Sequence, residues 1–341
     1  MNAQWQKKLL SFGASLDGDQ VVFPDIPTDP GADVLCTLSS EAVMHVSGED
    51  AEAFLQGQFS NDVAALAVPG SQLSTWSNPK GRVLCLFRLI RVDDGYLIRL
   101  PSELLESVQK RLKMYVLMAK VVIEHRDDLV AIGVSGEKGQ SALLELVSQL
   151  PDTPDDSVKV NAGCWLTRVR GDSPRFELTG DVESLEPVWK ACMDSCQMTD
   201  EAAWRLQNID AGVPSVTSAT SEAFVLQMMN LHHIDGVSFK KGCFPGQEVV
   251  ARMQYLGKLK RQMYRLDYSG ELKPSAGSEI YKEGGNSAVG KVVDAQLAGD
   301  AHYRMLAVIA IDATEAAMSL DQELQHKVSL LELPYSIAEA E

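Results

Sequence analysis

The 341-residue chain contains no apolar run long enough to span a membrane. Its first sixteen residues hold only Leu9-Leu10-Ser11-Phe12 behind Lys7-Lys8. That is too short for the apolar region of a secretory signal and reads as a small amphipathic helix, so a cytoplasmic location with no membrane partner is expected. Cysteine is sparse: six residues, Cys36, Cys85, Cys164, Cys192, Cys196 and Cys243, at scattered spacings that imply no disulfide framework. Metal-ligand pairs are missing too. Cys192-x-x-x-Cys196 has no second pair, and His232-His233 would diverge on a strand, so no metal site is expected. Positive charge is short: 31 Lys and Arg against 47 Asp and Glu, a net −16. Direct nucleic-acid binding is therefore not expected, because phosphate contacts need clustered cations.

What remains is the composition of a globular protein, with 45% apolar residues and a length sufficient for two or three cores. Residues 17–40 read as an irregular lead-in rich in Asp, Pro and Gly. Ala42 to Val46 predicts a strand, with Ser47 capping a helix that carries Ala51, Phe54, Leu55 and Phe59. Asn78-Pro79-Lys80-Gly81 is a turn. Val83 to Val92 and Tyr96 to Leu100 predict a hairpin around Asp93-Asp94-Gly95. Ser102 caps a helix with Leu105, Val108, Leu112 and Tyr115, and Lys120 to Glu124 predicts a strand. The order is the split βαβ pattern. A looser copy follows: strand Leu129 to Val134, helix Gln140 to Leu150, a hairpin of Trp165 to Arg170 with Arg175 to Leu178, and helix Val182 to Met193. Short strands between Gly-rich turns then predict a small β-barrel, with Glu332 to Tyr335 as its last strand before an acidic tail. The fold class is thus α+β: two ferredoxin-like split βαβ halves (about 30–125 and 126–256, within a region 1–256) and a C-terminal barrel, 257–335. A cleft between the halves is where a ligand is expected.

The chain's most distinctive stretch is Lys240-Lys241-Gly242-Cys243-Phe244-Pro245-Gly246-Gln247-Glu248. Gly242 and Gly246 free the backbone for positive φ and close approach. Lys240 and Lys241 favour the thiolate of Cys243, and Arg252 adds charge from the helix expected to follow. An ordinary turn around a small apolar cysteine is the alternative. Seven cations fall between residues 240 and 265, against Glu248 alone, which reads as a solvated face or an anion site. Upstream, Trp204 and Asp210 precede Ala211-Gly212-Val213-Pro214. An indole and a carboxylate at that spacing suit a flat heterocycle with a guanidine-like edge, and equally describe a core Trp and a surface Asp.

The motif KKGCFPGQE followed by VVAR resembles the K-G-C-[FY]-x-G-Q-E signature of the YgfZ-type folate-binding proteins, relatives of the glycine-cleavage aminomethyltransferase. Phe54 to Val63 resembles the family's F-L-Q-G-Q-x-T-x-D-V block. The resemblance covers about Ala42 to Tyr335. It implies a T-protein-like fold and tetrahydrofolate or a derivative as cofactor, with Trp204 and Asp210 binding it. Cys243 becomes the functional thiol, supported by Lys240, Lys241, Gly242, Gly246, Gln247, Glu248 and Arg252. The implied role is an accessory factor for iron–sulfur enzymes, including those that thiolate tRNA, with a link to control of replication initiation. Two departures stand out. Glu41 aligns where bacterial members can carry a second folate-site tryptophan. Leu84 and Cys85 occupy the positions where the aminomethyltransferases hold their catalytic aspartate, which speaks against the alternative of an aminomethyl (one-carbon) transferase.

Overall fold

The computed structural model describes residues 2–18, 20–23, 33–255 and 257–337; the expected acidic tail beyond 337 and positions 24–32 of the lead-in lie outside them. Two sheets carry the chain's first two-thirds, and they repeat one strand order. The five-stranded sheet runs Gly70–Ser77, Val83–Val92, Gly95–Pro101, Glu41–Ser47, Val122–His125. The six-stranded sheet runs Ser157–Asn161, Cys164–Arg168, Arg175–Asp181, Leu129–Ser135, then Val34–Thr37, then Gln197–Thr199. Apart from the inserted Val34–Thr37, the two orders match strand for strand. The α+β pseudo-repeat is therefore a property of the topology, in the absence of any residue-level repeat.

Local differences from the sequence reading have physical reasons. Gly70–Ser77 is a strand that the sequence hides: its Gly, Ser, Gln and Thr residues carry no apolar alternation, yet every position is buried. Two of its polar side chains find partners, Ser71 Oγ donating to Asp155 O at 2.8 Å and Ser74 Oγ accepting from Asn61 N at 3.2 Å, while Gln72 Nε2, Thr75 Oγ1 and Ser77 Oγ are buried without a hydrogen bond among the described residues. Ser102 is the first helical residue, not the cap; Pro101 stands at the cap without a side-chain bond, and Tyr115 lies past the end of helix Ser102–Lys113. The helix expected over Gln140 to Leu150 starts and ends earlier, at Gly136–Leu144, and Leu150 is buried after a turn. Phe59 lies beyond helix Ala51–Gln56 and bridges to Trp76.

The chain divides into two compact units: Met1–Leu55, Val63–Leu73 and Phe87–Trp204 in one; Gln56–Asp62, Ser74–Leu86 and Arg205–Glu341 in the other. In the first, Leu35, Ile132, Leu166 and Phe176 of the six-stranded sheet bury against Leu185 and Trp189 of helix Val182–Met193. Helix Ala3–Ser11 closes that core through Trp5, whose ring meets Trp189 edge-on at 5.5 Å. In the second, six strands close a barrel in the order Arg261–Ser269, His302–Ala310, Gly290–Gly299, Glu279–Lys282, Met318–Ser319, Lys327–Leu331. Leu266, Ile280, Val292, Met305 and Ile309 fill it. Its last strand is Lys327–Leu331, so Glu332 to Tyr335 is not the closing strand; Tyr335 instead donates its hydroxyl to Gly212 O at 2.8 Å.

Candidate functional site

The Cys243 loop is held at both ends and open at its apex. On its amino side Lys241 is buried, and its ammonium donates to the carbonyls of Gln56 and Phe59, each at 2.5 Å. Burial pushes this lysine down to about 8, and Asp62 acts against that shift. Lys241 is thus committed to the end of helix Ala51–Gln56, where free carbonyls collect. It braces the loop, with its charge spent on those carbonyls and not on an open face beside the thiol. Its ammonium also lies 5.3 Å from the ring centroid of buried Phe244.

On the carboxyl side Gly246 has φ +82, and a Cβ there would lie 2.6 Å from Gly81 Cα and 2.7 Å from Asn78 O. Glycine is required for both reasons. The Asn78–Gly81 turn that receives it is itself fixed: Asn78 Oδ1 accepts from Lys80 N at 2.9 Å and Arg82 N at 3.1 Å, and Nδ2 donates to Glu222 at 3.1 Å. Gly246 O then accepts from Val249 N and Val250 N, starting helix Gln247–Tyr255. Gln247 opens that helix half-buried, while Glu248 and Arg252 are exposed on it.

Gly242 differs from its partner. Nothing lies within 4 Å of a Cβ built there, and its φ is not left-handed, so the expectation of close approach fails at this position. Lys240, Gly242 and Cys243 are all exposed. Of the six cysteines only Cys243 is exposed. Burial pushes Cys164 and Cys192 up to about 12 and Cys196 to about 11, and raises Cys36 well above the usual thiol range.

Trp204 and Asp210 lie on one helix, Glu201–Asp210. Trp204 is 2% exposed, in a cluster with Val34, Cys36, Leu38, Ala131 and Val169. The Arg175 guanidinium lies 4.1 Å from the indole centroid, and a Cβ on Gly133 would come within 2.7 Å of the ring. The indole therefore presents no open face on which a ligand could stack. Its Nε1 donates to Glu177 at 3.3 Å. Glu177 also accepts from Arg88 Nε at 3.0 Å and from Arg99, which pairs in turn with Glu41. Arg88 extends the chain of charges to Asp155 at 2.6 Å. Burial would raise Glu177, but Arg99 and Arg88 override it and hold the carboxyl well below its usual range. Glu41 goes the other way: burial raises it to about 7 despite Arg99, with Glu177 and Glu201 adding to the rise. It lines a cavity of about 450 Å³ together with Trp5, Thr37, Ser102 and His125. This ionic network links strands Val83–Val92 and Gly95–Pro101 of one sheet to Arg175–Asp181 of the other. Its only trace in the sequence is single charges placed inside apolar strands.

Asp210 is partly exposed and already paired. Its Oδ2 accepts from Arg304 at 2.6 Å, its Oδ1 lies 3.6 Å from Arg265, and its carbonyl accepts from Arg265 at 3.0 Å. Both arginines come from barrel strands. The adjacent histidines sit in a turn, with ring centroids 4.0 Å apart, so they do not diverge as strand neighbours would. Among the described residues no three His, Cys, Asp or Glu side chains are grouped as metal ligands.

The chain is similar to curated proteins named tRNA-modifying protein YgfZ. It is 32% identical to the one from Enterobacter sp. (strain 638) over 308 residues, covering 89% of this chain and 94% of that protein. The Klebsiella pneumoniae (strain 342) protein is 32% identical over 310 residues, covering 90% and 94%. No family model matches the chain. Among solved structures it resembles the glycine cleavage system aminomethyltransferase T from Bartonella henselae, with a TM-score of 0.70 at 13% identity over 89% of this chain and 86% of that one. That likeness establishes the T-protein-like fold.

Proposed function

The chain belongs to the YgfZ family of tRNA-modifying proteins, and from this we propose that it serves tRNA modification as a folate-binding accessory factor working through the Cys243 thiol. The observation that carries the reading is the contrast among the cysteines. Five are buried; the sixth stands exposed at the apex of a loop pinned by Lys241 on one side and Gly246 on the other. A pinned loop with an open apex presents a sulfur to a macromolecular partner in a fixed place. The partners in this reading are iron–sulfur enzymes, including those that thiolate tRNA, and a link to replication control belongs to the same proposal.

A folate-type cofactor fits the proposed residues unequally. Trp204, with Arg175 over its ring and Gly133 close against it, does not fit a stacking role as it is seated. Asp210 has Oδ1 buried without a hydrogen-bond partner among the described residues, 3.6 Å from Arg265, and Oδ2 accepting from Arg304. In this reading Asp210 meets the ligand's amino edge, while Trp204 holds the Glu177 network in place. The alternative is a tetrahydrofolate-dependent aminomethyl transferase. Against it, the positions for that chemistry hold Leu84 and Cys85, both buried on a strand.

The deciding experiment is complementation of a strain lacking the protein, read as thiolated tRNA nucleosides by mass spectrometry. Cys243→Ser is expected to lower them at least tenfold at normal protein level, whereas Cys36→Ser is expected to restore them. Full restoration by Cys243→Ser overturns the thiol reading. Tetrahydrofolate titration by calorimetry tests the cofactor separately: Asp210→Asn is expected to weaken binding roughly tenfold, through loss of one acceptor and a charge.

A further inference from the structure

Helix Ser102–Lys113 ends in an apolar knob. Met114, Tyr115, Leu117 and Met118 follow it, and Leu117 and Met118 are 89% and 98% exposed. The knob is not a loose loop. Tyr115 N, Val116 N and Ala119 N each bond to a carbonyl three residues back, at 2.8–3.3 Å. Leu117 is held at φ +43, a conformation that a residue with a Cβ adopts only under local constraint. Large apolar side chains held out together mark an interaction surface more often than an accident of folding. Lys110, Arg111 and Lys113 stand in the last turn of the helix that leads into the knob, while Lys120 beyond it is paired with exposed Glu49 at 2.6 Å.

The same compact unit also carries a surface of the opposite character. A groove of about 370 Å³ is floored by Leu66, Pro69, Leu150 and Val158 and edged by exposed Asp152 and Asp156. A knob with a cationic collar and a groove of mixed polar and apolar lining with an anionic rim are complementary in charge. A single knob in a single groove falls short of the roughly 800 Å² per partner that a stable interface buries. Two reciprocal contacts about a two-fold axis double it.

We infer that the partner of the Met114–Met118 knob is a second copy of this chain, which receives it in the Asp152–Asp156 groove and returns its own knob in exchange. Sedimentation velocity of the full chain over about 1–100 μM tests this. The expected result is a concentration-dependent dimer that weakens as salt rises, because the collar–rim pairs are exposed and screened. Leu117→Asp with Met118→Asp is expected to leave a monomer with an unchanged melting curve, since neither side chain is in the core. Lys113→Glu alone and Asp152→Lys alone are each expected to weaken the dimer roughly tenfold, and the double variant to recover it. A monomer at every concentration overturns the inference, as does a dimer indifferent to the knob variant or a charge swap without recovery. Cosedimentation with phosphatidylserine vesicles that depends on Leu117 and Met118, in a chain that stays monomeric, overturns it in favour of a lipid surface.

Discussion

Gly246 and Gly81 lie so close that neither the loop nor the turn can shift alone: a Cβ on Gly246 would stand 2.6 Å from Gly81 Cα, at a backbone φ of +82. Two stretches 165 positions apart, from 81 to 246, are locked here by the absence of side chains. Gly246→Ala is therefore expected to destabilise the protein by about 2 kcal/mol or more, from the left-handed strain and the displaced turn together. Gly242→Ala, with open space and no left-handed φ, is expected to change stability by less than about 0.5 kcal/mol. Denaturant unfolding of the two variants checks the contrast; equal losses would mean that the loop is seated differently.

Native thiol counting follows from the burial pattern. A small aromatic disulfide reagent is expected to modify one cysteine quickly in the folded protein and all six after denaturation. Cys243→Ser should abolish the fast phase. A fast phase that survives in Cys243→Ser would show that another cysteine is open.

Trp204 is expected to matter for stability before it matters for any ligand. Trp204→Ala removes a fully buried indole and its bond to Glu177, and should cost about 3–5 kcal/mol. Trp204→Phe keeps most of the packing and should cost distinctly less. If Trp204→Ala leaves stability near wild type but abolishes tetrahydrofolate binding, the indole is a ligand face and Arg175 leaves it when the ligand arrives.

The Glu177 carboxylate is the shared acceptor of two buried arginines. Glu177→Gln leaves Arg88 and Arg99 short of compensation and should cost about 3–5 kcal/mol, the usual penalty for breaking a buried ion pair. Replacing Arg126, whose partner Asp128 is exposed, should cost under about 1 kcal/mol. Urea midpoints of the two variants give the comparison.

Two groups act in opposite directions on acid stability. Burial, with His233 beside it, lowers His232 from 6.5 to about 4. Between those values the unfolded chain binds the extra proton, so stability falls as pH drops from 6.5 to 4. Burial raises Glu41 from 4.5 to about 7, so there the folded chain holds the extra proton and stability falls as pH rises from 4.5 to 7. Near pH 5–6 the two trends oppose one another. Glu41→Gln is expected to steepen the loss of stability on acidification, and His232→Phe to flatten or reverse it. Parallel melting-temperature profiles of both variants with wild type would contradict the assignment.

What the sequence by itself determined is what local chemistry encodes. The KKGCFPGQE motif, the helix Val182–Met193 and the hairpin at Asp93-Asp94-Gly95 each depend on residues close in the chain. The repeated half could be read because alternation and helical spacing recur in the same order. Only the tertiary structure decided the rest, because it depends on distant partners. Gly70–Ser77 is a buried strand that no apolar alternation announces, with Ser71 bonded to the carbonyl of Asp155, far along the chain. Lys241 points into the protein because Gln56 and Phe59, some 180 positions earlier, offer it carbonyls. Gly242 and Gly246 look alike in the sequence, and only the arrival of Gly81 makes one of them obligatory. Trp204 could have walled a cleft or filled a core; Arg175 and Gly133, brought to its ring by the six-stranded sheet, settle where its faces lie.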